Sequence, residues 1–244
     1  MRWQIVAPHH GGTMQELRKT VEVMSSIATR EAYLELVPRF ERESGITVST
    51  SWVGGAEIAK RLRTGASPDL VIMAAAAIDD LVKEGLLAAG SRVDLASSII
   101  AVAVAPGSPR PDLASEETLR KAVMGARRVA YSSGPSGVYL AGIFQRWGVP
   151  AEKLVQTAPG HPAGEVAARG EAEIAFQQLS ELLPVKGIEL VGPLPAAMQL
   201  VTIFSAGTRA GAANAPGGRA LTRFITSRNS AATLRRHGLE PVEA

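Results

Sequence analysis

Short β-type runs alternate with amphipathic segments of about ten residues along nearly the whole chain, and this alternation restricts the fold more than any other feature. In the first half the pattern predicts strands at 20–24 (TVEVM), 46–53 (ITVSTSWV) and 70–73 (LVIM), with helices at 29–44, 56–64 and 78–84. LVIM is apolar at every position, as in a strand buried on both faces. The second half repeats the pattern, with strands at 98–104, 128–131, 154–157, 172–177, 188–191 and 200–205. Its helices are expected at 115–124, 138–147, 163–169, 218–226 and 231–237. Strands separated by helices imply βαβ units and a mostly parallel sheet, an α/β fold. The 244 residues suffice for two such lobes, at roughly 100–120 residues each. Pro38 falls among the apolar positions Tyr33, Leu36, Val37 and Phe40 and predicts a kink in the first helix.

Composition removes several classes of function. There is no cysteine, which excludes a thiol nucleophile, a disulfide framework and any cysteine-based metal site. The 26 Lys and Arg exceed the 23 Asp and Glu only slightly and are scattered among them, so no cationic stripe for nucleic acid is expected. The motifs GxxxxGK[ST], GxGxxG and GxSxG are all absent, which argues against nucleotide cofactors and serine-hydrolase chemistry. His9 and His10 are adjacent and diverge in an extended segment, so no metal site and no cofactor are expected. Residues 1–19 read as an N-terminal extension, with RWQIVAP as a short strand broken by HHGGT. They lack the apolar stretch of a signal peptide, which predicts a cytoplasmic protein if the chain is full-length.

Open α/β sheets bind ligands beyond the carboxyl ends of their strands, where loops lead into helix N-termini. Three such junctions are rich in Ser, Thr and Gly. The first carries Ser25, Ser26, Thr29 and Arg30; the second is Gly54-Gly55; the third carries Ser132, Ser133, Ser136 and Gly137. Hydroxyls and free backbone N–H groups at a positive helix end are suited to an anion, and glycine lets the ligand approach the backbone. Arg30 offers a guanidinium that grips a carboxylate bidentately. Gln177 and Gln178 end a strand and add amides to the same rim. If the site does chemistry, the candidates for a general base are His161, Glu165 and Glu181.

These segments carry a resemblance. VEVMSSIATREAYLELVPRFERESGITV, GGAEIAKRLRTGASPDLVIMAAAAIDDL, GSRVDLASSIIAVAVAPGSPRPD, YSSGPSGVYLAGIFQRWG and AARGEAEIAFQQ resemble the type II periplasmic solute-binding proteins, in the molybdate-binding-protein-like branch. The resemblance spans roughly 20–244. FQQLSELLPVKGIELVGPLP is similar to the part of that branch that includes aconitate isomerase, an enzyme on the same fold. It implies two Rossmann-like α/β lobes joined by two crossovers, a Venus-flytrap that closes on a small anion, either an organic carboxylate or an oxyanion. Lobe one is expected at 20–100 plus 205–244, lobe two at 101–204, and the hinges near 98–102 and 201–205. The resemblance further implies a periplasmic monomer that serves the permease of an ABC-type transporter, with an isomerase of tricarboxylates as the alternative. Molybdate binders hold their oxyanion with neutral donors, whereas Arg30 stands beside the first loop here. Gly54-Gly55 also replaces the hydroxyl common at the second.

Overall fold

The structure, a computed structural model, describes residues 20–242. The expected extension 1–19, with its RWQIVAP strand and the His9-His10 pair, lies outside the described residues.

The first run opens with β1 (Thr20–Ser25), which buries Val21 and Val23 and exposes Glu22 between them. A single 3₁₀ turn at Ile27–Thr29 leads into α1 (Arg30–Ser44), whose buried stripe is Ala32, Tyr33, Leu36, Val37 and Phe40. Gly45 closes α1 in the left-handed conformation at φ 69°, which glycine adopts without strain. The helix runs unbroken through Pro38. Pro38 lies on the exposed side of α1, as does Leu34, whose carbonyl it leaves without a backbone donor. β2 (Thr47–Trp52), α2 (Gly55–Arg63), β3 (Leu70–Ala74) and α3 (Ala75–Lys83) complete this run.

β4 (Val93–Val104) begins five residues before the predicted start and is followed by α4 (Glu116–Gly125), capped by a Ser115–Thr118 capping box. Then come β5 (Val129–Tyr131), α5 (Pro135–Trp147), β6 (Leu154–Gln156) and α6 (Ala163–Ala168). β7 (Ile174–Gln178) runs directly into α7 (Leu179–Leu182), a turn the sequence pattern did not predict. β8 (Glu189–Pro193), β9 (Val201–Thr208), α8 (Ala215–Ile225), α9 (Arg228–Arg236) and the two-residue β10 (Glu240–Pro241) close the chain.

The strands form one hydrogen-bonded path in the order β2-β1-β3-β9-β4-β7-β5-β6, with β8 and β10 also on β4. β1 pairs in parallel with β2 and β3, and β5 in parallel with β6 and β7. β4 and β9 run antiparallel to every partner. The mostly parallel sheet expected from the alternation is therefore parallel only in its two outer parts. Strands that carry the chain out to a second lobe and back run in opposite directions, and their sequences do not encode this. β4 itself changes partners: up to Ile99 it pairs with β9, and from Ile100 onward with β7 and β8.

Apolar cores cover both faces of each outer sheet. In the first lobe Val21, Val23, Leu70 and Ile72 pack under α1 and α8, while Val71 and Met73 pack under α2 and α3. In the second, Val129, Tyr131, Ile174 and Phe176 face α4 and α5, and Ala130 and Ala175 face α6. The late helices return to the first lobe through Asp69, which accepts from Glu22 N at 3.0 Å and Asn214 N at 2.6 Å. Asn214 in turn caps α8, accepting from Gly217 N at 3.0 Å.

Candidate functional site

Two strand-to-helix turns, one in each lobe, are built alike. In the first, Ser25 at the end of β1 is fully buried, and its Oγ lies 3.0 Å from the Oγ1 of Thr29, four residues on. In the second, Ser132 just past β5 places its Oγ 3.0 Å from the Oγ of Ser136, again four residues on. Each turn thus presents a pair of buried hydroxyls at the carboxyl edge of a parallel sheet, next to the start of a helix. Gly137 fixes the second turn. A Cβ there would stand 1.6 Å from the Ser132 carbonyl oxygen, so no side chain fits.

The other sequence-predicted residues divide. Ser26 donates its backbone N–H to the Ile72 carbonyl at 2.8 Å, so that group is engaged by β3. Ser133 is partly buried beside the pair. Arg30 begins α1 with a half-exposed side chain, 3.8 Å from the Glu31 carboxylate. Gly54 and Gly55 open α2, and the 54 position meets the second lobe: a Cβ on Gly54 would lie 3.6 Å from Pro159 Cβ. A Cβ on Gly160 would likewise lie 3.6 Å from Ile27 Cδ1. The loop after β6 therefore reaches across to both first-lobe turns.

Gln177 and Gln178 point to opposite sides of β7, as neighbours in a strand must. Gln177 accepts from the backbone N–H of Ala163 at 2.7 Å and supports the loop ahead of α6. Gln178 turns to the crossover, where its amide oxygen accepts from Thr202 Oγ1 at 2.8 Å and its nitrogen donates to Ser98 O at 3.3 Å. Only Gln177 shares the rim with the serine turns.

The three candidate bases also separate. Glu165 is exposed on α6, 4.0 Å from Arg169, and His161 is exposed in the loop. Glu181 differs. Leu179 and Leu183 pack toward Gly238, Ser180 Oγ lies 3.4 Å from Ser98 Oγ, and Leu182 faces Gly164. The remaining side of this turn carries Glu181 back toward Gln177. Burial raises its carboxyl to about 7, against a hydrogen bond from Gln177 that lowers it. The residue keeps some exposed surface while the carboxyl itself is enclosed.

Two polar residues escaped the sequence reading. Gln199 holds the crossover: its Oε1 accepts from Ile100 N and its Nε2 donates to Ile100 O, both at 2.9 Å. Thr157 stands one residue past β6, in the row of Ser132 and Gln177, and strand parity from Val155 would have pointed to it. Among the described residues no cluster of His, Asp and Glu has the makings of a metal site, and no helix is long and apolar enough to cross a membrane.

Comparison with known proteins follows the same lines. The chain is 35% identical to aconitate isomerase of Pseudomonas sp. over 92% of its own length and 89% of that protein's. It is 22% identical to the molybdate-binding protein ModA of Escherichia coli K12, over 72% of this chain and 71% of that one. Its fold superposes on the periplasmic molybdate-binding protein of Azotobacter vinelandii with a TM-score of 0.76, covering 91% of this chain and all of the other at 17% identity. The family model described as bacterial extracellular solute-binding protein matches residues 21–240. Two α/β lobes, two antiparallel crossovers and a match over nearly every described residue lead to one conclusion: the chain belongs to the bacterial extracellular solute-binding proteins.

Proposed function

We propose that the chain binds a small organic carboxylate between its two lobes and closes on it by bending at β4 and β9. The observation that carries this reading is the pair of equivalent turns, Ser25–Thr29 and Ser132–Ser136, with the 158–161 loop spanning the gap between them. Buried hydroxyls beside helix starts are donors for an anion's oxygens. Arg30, beside the first turn, adds a fixed positive charge suited to a second carboxylate. A single tetrahedral oxyanion needs no such group. The 35% identity to an enzyme whose name specifies a tricarboxylate supports the same class of ligand. In this reading the protein works in the periplasm and presents its ligand to the permease of an ABC-type transporter.

A thermal-shift panel with citrate, cis- and trans-aconitate, molybdate and sulfate tests it. A ligand at about 100 times its Kd adds roughly 2.7 kcal/mol to stability. Tricarboxylates should shift the melt, and Ser25→Ala or Ser132→Ala should weaken that shift while leaving the ligand-free melt within a few degrees. A response confined to molybdate would overturn the carboxylate assignment.

Glu181 favours a second reading, in which the same cleft moves a double bond in the bound tricarboxylate. The carboxylate of Glu181 takes a proton from the methylene beside the double bond, and the C–H electron pair becomes the new C=C. The old double-bond pair takes up a proton at its far carbon, so the net composition is unchanged. A base held near 7 is suited to both steps at neutral pH. Proton NMR of trans-aconitate in D₂O with the protein reads the exchange directly. Glu181→Gln should bind the ligand and abolish deuterium incorporation, and a wild-type protein that binds without exchanging deuterium is a binding protein only.

A further inference from the structure

Thr157 occupies a place that the fold itself does not account for. β5 pairs Ala130 with Val155 and Ala175, and Tyr131 with Gln156 and Phe176. The ladder continues one step, since Thr157 N donates to Tyr131 O at 2.9 Å. The next row across the sheet therefore holds Thr157, Ser132 and Gln177, two residues beyond the Val155–Ala130–Ala175 row that faces α6. All three are more than nine-tenths buried. Gln177 is satisfied by Ala163 N, and Ser132 by Ser136. The Thr157 hydroxyl has no partner, and among the described residues it is the one buried side-chain polar atom of which this is true.

An unpaired buried hydroxyl is costly to keep, and valine has the same shape without the penalty. A threonine at this position is accounted for by a partner that arrives with the ligand. The hydroxyl sits at the foot of the 158–161 loop, whose Pro159 and Gly160 meet Gly54 and Ile27 of the first lobe. It lies at the carboxyl edge of the sheet, in the same row as the serine of the second-lobe turn.

We propose that Thr157 is a ligand-contacting residue, its Oγ1 donating a hydrogen bond to a carboxylate oxygen of the anion held between the lobes. This rests on the carboxylate-binding reading above. Thr157 then determines how the carboxylate held at the second-lobe turn is oriented, and the loop that closes over the ligand carries the contact with it.

Calorimetric titration of trans-aconitate and citrate into the wild type, T157V, T157S and Ser132→Ala tests the proposal. T157V should keep or raise the ligand-free melting temperature, because it removes an unsatisfied hydroxyl, and should weaken binding about tenfold or more, as expected for a lost hydrogen bond to a charged group. T157S retains the hydroxyl and should bind within about threefold of wild type. If T157V binds like wild type while Ser132→Ala does not, the role of Thr157 is overturned and the cleft stands. Unaltered affinity with a ligand-free melt several degrees lower assigns the hydroxyl to a buried water and also overturns it. A wild-type protein that binds neither acid overturns the carboxylate reading beneath it.

Discussion

At the residue scale, the most informative group is the Glu181 carboxyl. The folded protein holds it near 7, whereas the unfolded chain returns it to about 4.5, so folding favours the neutral form. The stability tied to it is complete below about pH 4.5 and is lost as pH rises through about 7, up to about 3 kcal/mol for a shift of this size. Glu181→Gln keeps the neutral hydrogen-bonding shape at every pH. The variant should equal wild type in acid and exceed it above neutrality, so urea melts at about pH 4 and pH 8 should diverge only at the higher value. Parallel profiles would place the carboxyl in water. The places of the two serine turns, at strand ends leading into helices, were legible in the sequence because Ser, Thr and Gly there break an apolar run. Glu181 was legible only as a candidate. In QQLSELLP nothing distinguishes it from an exposed acid; it is turned back toward Gln177 because Leu179 and Leu183 pack toward Gly238 and Leu182 toward Gly164.

At the element scale, helices and strands fell close to their predicted places because each carries its own apolar period. The antiparallel direction of the two crossover strands did not, since β4 and β9 read like any other apolar run. The early part of β4, VDLAS, has an exposed start and an acid, and it becomes a strand only because β9 lies beside it. Asp94 there is held by Arg92 Nε at 2.8 Å and by the hydroxyl of Ser205 at 2.6 Å, a tie that no local pattern signals. We place the pivot between lobes where β4 changes partner, at Ile99–Ile100, with Gln199 completing the ladder on the returning chain. Ile100 is fully buried and its N–H has Gln199 as acceptor. Gln199→Ala should therefore cost about 1–3 kcal/mol, the penalty of an orphaned buried donor. Chemical denaturation measures the loss, and hydrogen exchange at Ile100 should accelerate with it. An unprotected Ile100 amide in the wild type would remove the basis for this role.

At the scale of the whole molecule, two lobes that share antiparallel crossovers bend easily relative to one another, while each keeps its own cores. The loop from β6 to α6 comes close to both first-lobe turns, since a Cβ on Gly54 or Gly160 would reach van der Waals distance of the opposite lobe. If ligand binds between the lobes as proposed, binding and closure are one equilibrium, and a change that opposes approach of the rims should weaken binding without unfolding either lobe. Gly54 is the place to test this. Its backbone, at φ −67° and ψ 151°, suits any residue, and a Cβ meets Pro159 at an ordinary 3.6 Å. Alanine should therefore be tolerated, and tryptophan should hold the rims apart. Gly54→Trp is expected to melt within a few degrees of wild type yet lose most of its affinity for the carboxylate. Its radius of gyration in solution scattering should exceed that of the liganded wild type and stay unchanged when ligand is added. If instead Gly54→Trp binds and contracts normally, the Gly54–Pro159 contact is incidental to closure, and the pivot must bring the lobes together along a different edge.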